Sequence, residues 1–219
     1  MIIWVNGTFG AGKTTTGRAL VQRDPRLRLF DPEWVGFMLM NNLADQDFTD
    51  FQQLESWRKL TPLVVDELVR VTGQDLVAAQ TVLDEHYWHE LQSGLAALGH
   101  EVVHVVVEAD GVVMRQRIAA DQNEPDAKQW RLDHLPNYAA ARAWLMASAD
   151  LVLDTTALTP EDAADQIWKV AATRVSSGPR PVASGSAAGR VLPNGLDDAP
   201  GSNRDECVTE WGTQERRAQ

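Results

Sequence analysis

The segment Gly7-Thr8-Phe9-Gly10-Ala11-Gly12-Lys13-Thr14 constrains this chain more than any other. It satisfies G-x-x-x-x-G-K-[ST] between a short apolar run, Ile2 to Asn6, and a helical pattern from Lys13 to Arg23 that Asp24-Pro25 stops. A strand, a glycine-rich turn and a helix in that order make a nest of inward N–H groups backed by the positive end of the helix. Such a nest holds phosphate oxygens. Lys13 is placed to reach the β- and γ-phosphates of a nucleotide, and Thr14 to ligate Mg²⁺. The expected nucleotide contacts are Gly7, Phe9, Gly10, Ala11, Gly12, Lys13, Thr14 and Thr15, with ATP and Mg²⁺ as ligands. The alternative, a glycine-rich turn beside a surface lysine, leaves this context unexplained.

The rest of the chain alternates short apolar runs with helical patterns. Strands are expected at Leu27 to Phe30, Leu76 to Val82, Glu101 to Glu108 and Leu151 to Asp154. Between them lie helical segments from Glu33 to Met40, from Asp50 to Val71, from Asp84 to Leu98 with Gly99 closing it, and from Asp110 onward. Thr61-Pro62 reads as an N-cap and first helical position, which divides the second of these into two helices. A polar stretch, Asp121 to Asp133, precedes a helix begun by Pro136, and Thr159-Pro160-Glu161-Asp162 caps the last one. Strands alternating with helices imply an α/β fold with a parallel sheet covered on both faces.

Composition changes near Val175. Residues 176–219 hold six Gly, four Pro and five Ser with few large apolar side chains, so a disordered tail is expected there and a folded domain over 1–175. The tail's five Arg nearly balance its six Asp and Glu, so the formal charge of −11 belongs almost wholly to the domain. That charge disfavours nucleic acid and anionic lipid as partners. Cys207 is the only cysteine, which excludes an internal disulfide and fits a cytoplasmic location. No apolar run approaches the roughly 18 residues of a membrane span, and no secretion signal is visible. Oligomeric state is not legible.

Ligands of open parallel sheets sit beyond the carboxyl ends of the strands. Asp31 follows Leu29-Phe30 there and is the candidate to orient an acceptor hydroxyl and take its proton; it equally suits an N-cap ahead of Pro32-Glu33. Gln80 and Thr81 end the third strand and could hydrogen-bond substrate or metal-bound water; no aspartate occupies that position, and Asp84 is three residues on. Arg117 and Arg131, with Arg115 and Lys128, bracket the polar stretch and suit a lid that closes over ATP. Arg58 could clamp a substrate anion or pair with Glu55 or Asp66. Trp34, Trp57 and Trp88 fall in segments near the acceptor side, where indoles suit a large, partly apolar molecule. His86 and His89 lack a metal-binding pattern around them.

MIIWVNGTFGAGKT, the FDPEWVGF segment from Phe30 to Phe37, Asp50-Phe51-Gln52, Trp57-Arg58 and Gln80-Thr81 together resemble the tunicamycin-resistance ATP-binding proteins. More distantly the chain is similar to antibiotic phosphotransferases, shikimate kinases and gluconate kinases. The resemblance runs from about Met1 to Val170. It implies a P-loop NTPase fold, with a five-stranded parallel sheet of order 2-3-1-4-5, and a small lid around Gln122 to Arg131. It implies phosphoryl transfer from ATP to a small molecule such as a nucleoside-type antibiotic, with sequestration of the drug as the alternative. By position, Asp31 matches the catalytic carboxylate of related kinases and Arg117 the arginine that flanks adenine, although Met114-Arg115-Gln116 departs from the usual leucine opening. Trp34, Phe37, Trp57, Arg58, Gln80 and Thr81 become the expected acceptor contacts, and Lys13, Asp31, Arg117 and Arg131 the catalytic set.

Overall fold

The computed structural model describes residues 1–122 and 127–175. The expected disordered tail, 176–219, lies outside the described residues, as do residues 123–126 of the expected lid.

Five parallel strands, β1 (Ile2–Gly7), β2 (Leu27–Phe30), β3 (Asp75–Ala79), β4 (Val102–Glu108) and β5 (Leu151–Asp154), lie in the order β2-β3-β1-β4-β5. The central strand β1 pairs with β3 from Ile2 opposite Leu76 and with β4 from Ile2 opposite Val102. All six residues of β1 are buried, as a parallel strand covered on both faces requires. Alternation then sends Ile3, Val5, Val105 and Val107 to one core, shared with helices α1 (Lys13–Arg23) and α8 (Pro160–Val175). Ile2, Trp4, Leu76 and Ala78 face the other core. That side is covered by α2 (Glu33–Asn42), α3 (Glu55–Thr72) and α4 (Glu85–Ala97), whose apolar residues join the same cluster. The remaining helices are α5 (Gly111–Ala120), α6 (Lys128–Asp133) and α7 (Leu135–Ser148).

Three local expectations change. Thr61-Pro62 does not start a new helix: α3 runs through it with Pro62 inside, after a separate 3₁₀ turn, Phe51–Gln53. An internal proline costs about 3 kcal/mol, and packing offsets it. Pro62 is buried against Gly94 of α4, where an added Cβ would come within 2.8 Å of the proline ring. β3 ends at Ala79 rather than Val82 because the side chain of Asn6 replaces the ladder. Its Oδ1 accepts from the Val82 N–H at 2.9 Å and its Nδ2 donates to the Val82 carbonyl at 2.9 Å. The polar stretch after Asp121 contains a short helix, α6, that its charge-rich composition concealed.

His104 sits at the centre of β4 with no exposed surface, stacked on Trp88 at 4.0 Å between ring centroids. Burial depresses its imidazole to about 4, against a bond to the Ser148 carbonyl and the Asp150 carboxylate, which both favour the charged form. An unfolded histidine protonates near pH 6.5, so between about 6.5 and 4 the unfolded chain holds more protons and stability falls as pH falls. The full effect is about 3 kcal/mol. His104→Phe, which keeps a ring over Trp88, is expected to flatten the dependence of Tm on pH in that window; an unchanged slope by calorimetry would contradict the assignment.

Candidate functional site

The turn from β1 into α1 is fixed by backbone approaches that exclude side chains. Gly7 adopts φ 137°, where a Cβ would fall 2.1 Å from the Val107 carbonyl oxygen. Gly10 adopts φ 73°, where a Cβ would lie 2.6 Å from the Met114 carbonyl oxygen of α5. Only glycine meets both conditions. The loop's carbonyls are then held from outside. Thr81 donates to Gly7 at 2.9 Å, Arg117 to Gly10 at 3.3 Å and Thr155 to Ala11 at 2.8 Å. With carbonyls tied outward, a nest is free to turn N–H groups toward an anion.

Lys13 donates to the Thr8 carbonyl at 2.9 Å and its Nζ lies 5.4 Å from the centre of the Phe9 ring. Burial holds its ammonium down to about 8; the charge of Glu33 opposes that shift and Arg131 reinforces it. Thr15 turns its hydroxyl back to the Gly12 carbonyl at 2.9 Å. The exposed hydroxyl of Thr14 makes no hydrogen bond among the described residues and lines the cleft. An uncommitted hydroxyl beside a phosphate nest fits Mg²⁺, a hard cation that prefers oxygen ligands.

A cleft of about 500 Å³ opens over this loop, bounded by Phe9, Lys13, Thr14, Arg117, Arg131 and Thr155 among others. Arg117 spans it from α5, donating to the Thr155 hydroxyl at 3.0 Å and the Thr155 carbonyl at 2.7 Å. Arg131 of α6 pairs with Asp121 at 2.5 Å and lies 5.9 Å from the Phe9 ring centre. Trp130 meets the same ring at 5.1 Å. Three of the four expected cations therefore converge. The fourth, Arg58, does not line this cleft: it is buried between α3 and α4, paired with Glu90, bonded to the Gln52 carbonyl and stacked 4.2 Å over Tyr87. Neither expected alternative partner holds it, since Glu55 pairs with Lys59 at 2.6 Å and Asp66 meets His100 at 2.9 Å.

On the β2 side, Asp31 accepts from the Glu33 N–H at 3.0 Å, so it does cap the entry to α2. The charge of Glu33, two residues on, favours the protonated form of Lys13. Behind this turn an aromatic row runs from Trp34, 55% exposed, to Phe37, Phe51 and fully buried Trp57, with successive ring centres 5.9, 6.3 and 5.2 Å apart. The Trp57 indole donates to the Pro32 carbonyl at 3.1 Å and supports the Asp31 turn from beneath. Trp88 is corrected: it lies wholly in the core against Trp4 and His104, because α4 packs on the sheet rather than at the cleft. Gln80 is buried; its Nε2 reaches the Thr81 carbonyl at 3.2 Å, while its Oε1 has no partner among the described residues. Asp84 is the N-cap of α4.

Sequence reasoning missed Glu33, Asp121 and Thr155. Thr155 had a signal, since it directly follows β5 at the carboxyl edge of the sheet.

A phosphate-nest loop at the centre of a 2-3-1-4-5 parallel sheet defines the P-loop nucleotide-binding class, with a kinase-like arrangement. The chain belongs to the AAA domain family, whose pattern matches residues 2–135. It is 30% identical over 170 residues to a nucleotide-binding protein of Nocardioides sp., covering 76% of this chain and 49% of that protein. This chain thus spans about half the length of the curated relative it matches. Its structure is similar to that of the Deinococcus radiodurans tunicamycin resistance protein, with 28% identity, a TM-score of 0.59, and 80% and 94% of the two chains covered. A sugar kinase from Janibacter sp. shares the fold at 16% identity and a TM-score of 0.52, covering 78% of this chain and 94% of the kinase. Among the described residues no helix is long and apolar enough to cross a membrane.

A polyphosphate beside Lys13 favours its charged form, so binding above pH 8 must take up a proton. ATP affinity is expected to fall as pH rises from 8 toward 9.5, with proton uptake visible by calorimetry in buffers of different ionisation enthalpy. Lys13→Ala is expected to abolish that uptake and most of the affinity while leaving the fold intact.

Proposed function

We propose that this protein is an ATP-dependent phosphotransferase acting on a hydroxyl of a small molecule, with a nucleoside-type antibiotic such as tunicamycin as the leading acceptor. The observation that carries the reading is the convergence of Lys13, Arg117 and Arg131 on the cleft above the loop. Lys13 and the loop N–H groups would hold the β- and γ-phosphates, and Thr14 would hold Mg²⁺, which would neutralise phosphate charge when bound. Arg117 and Arg131 balance charge on the transferring group. The acceptor oxygen bonds to the γ-phosphorus, the bond to the β-phosphate oxygen breaks, ADP leaves and the hydroxyl proton passes to Asp31. Residues 1–175 are the functional unit in this reading, 122–131 its lid, and the cytoplasm its location. Similarity to the Deinococcus radiodurans tunicamycin resistance protein supports the choice of acceptor. The formal charge of −11 argues against a nucleic-acid acceptor.

A second reading, sequestration of the drug under a nucleotide-closed lid, draws on the capping role of Asp31 and on Gln80 standing where a carboxylate would support the metal. Mass spectrometry of tunicamycin after incubation with protein, ATP and Mg²⁺ separates the two. Transfer requires a product heavier by one phosphoryl group, and Asp31→Asn is expected to slow its formation by about 10²–10⁴-fold. Tight binding of both ligands with no mass change at high protein concentration would exclude transfer.

A further inference from the structure

The central strand β1 is apolar from Ile2 to Val5 and then places Asn6, with no exposed surface, directly before the phosphate loop. A buried amide is costly unless its polar atoms find partners. Here Oδ1 accepts from the Gly7 N–H at 2.8 Å and from the Val82 N–H at 2.9 Å, while Nδ2 donates to the Val82 carbonyl at 2.9 Å. Nδ2 also lies 3.5 Å from Nε2 of His104, on the neighbouring strand β4. Nδ1 of that ring is 3.3 Å from both the carbonyl and the hydroxyl of Ser148, and the hydroxyl gives its own proton to Leu145. The ring proton therefore belongs on Nδ1, and Nε2 turns a lone pair to the amide. Reversing the amide would set its oxygen against the Val82 carbonyl and that lone pair, so only one orientation is consistent.

The consequence falls on Gly7. The Asn6 side chain holds the Gly7 N–H, and the Thr81 hydroxyl holds the Gly7 carbonyl at 2.9 Å. Those two groups belong to the peptide planes on either side of the Gly7 Cα, so holding both fixes φ and ψ at this residue. Both grips come from one segment beyond β3, directly through Thr81 and, by way of Asn6, through Val82. Glycine has more backbone freedom to lose than any other residue, and it is at Gly7, with φ 137°, that the chain leaves the strand for the loop. A β-branched apolar residue would suit this buried strand position at least as well. What the amide adds is the hold on Gly7.

We propose that Asn6 is a positioning residue of the phosphate site. Acting through Gly7, and oriented by Val82 and His104, it sets the direction in which the loop leaves β1, so the nest is formed before a polyphosphate arrives and binding carries less ordering cost. The assignment rests on the reading of the loop as a polyphosphate site and on no particular acceptor.

Calorimetric titration of the full chain with inorganic tripolyphosphate, and separately with ATP and Mg²⁺, tests it at a temperature where every variant is folded. Asn6→Ser carries a hydroxyl too short to span from Gly7 to Val82, and is expected to weaken both ligands about fivefold to tenfold, the loss of one hydrogen bond. Thr81→Val is expected to do the same, and the double variant to lose less than the product of the two, because freeing either dihedral already releases Gly7. Leu95→Ala, in the same core but at the far end of α4 from Val82, is expected to lower Tm while leaving tripolyphosphate affinity within twofold. Affinity of Asn6→Ser within twofold of the unsubstituted protein would overturn the assignment. So would a loss confined to ATP, independent effects at Asn6 and Thr81, or a matching loss of affinity in Leu95→Ala. Should Asn6→Ser fail to fold, Asn6→Thr, whose branched side chain suits a strand, carries the same test. Binding of neither ligand by the unsubstituted protein would overturn the reading of the loop, and this one with it.

Discussion

Everything in this molecule depends on the carbonyls of one glycine-rich loop being held from outside. Gly7, Gly10 and Ala11 give their oxygens to Thr81, Arg117 and Thr155, which stand beyond β3, on α5 and beyond β5. Those groups reach the loop because β1 is the middle strand, with β3 on one side and β4, then β5, on the other. The strand order is thus a positioning device. A loop on an edge strand would have neighbours on one side only, and half of its carbonyls would need water.

The same loop must hold a polyphosphate inside an acidic protein. The long-range field of a chain with charge −11 opposes that, so the attraction has to be short-range. Lys13, Arg117 and Arg131 supply it within one cleft, and two of them flank the Phe9 ring. Lys13 carries a cost of its own, since burial above all, and the charge of Arg131 to a lesser extent, holds its ammonium down to about 8. Glu33 and Asp121 lessen it. The acidity elsewhere on the surface does not reach this cleft with full strength, since screening limits it to about 8 Å at physiological salt.

What could be read in advance follows the range of the interactions involved. The loop and α1 were legible because G-x-x-x-x-G-K-T in its context is a local rule with one structural solution, whereas the strand order came only from the family resemblance. Pro62 misled because the local rule for proline was overridden by Gly94, thirty-two residues away in sequence. β3 was read too long because Asn6, on another strand, takes over the Val82 hydrogen bonds. Arg58 and Trp88 were drawn toward the cleft by residue type and by the segments they sit in, yet their partners Glu90 and His104 bury them elsewhere. Thr155 escaped notice for the converse reason. A threonine after a strand is ordinary locally, and only the fold shows what it touches.

The two sides of the site are consequently built on different principles. The nucleotide side is made largely of backbone, fixed by glycines whose missing Cβ atoms are structural requirements, so it leaves little room for variation. The proposed acceptor side is made of side chains on α2 and the turn Phe51–Gln53, held by aromatic packing and by single hydrogen bonds such as Trp57 to Pro32. Trp34 and Phe37 meet each other and Phe51 through their rings, so changing either would reshape that wall. A single fold can keep one phosphoryl donor and exchange acceptors on this basis. Under the proposed function, substrate choice is accordingly to be sought in the row from Trp34 to Phe51, not in the phosphate loop.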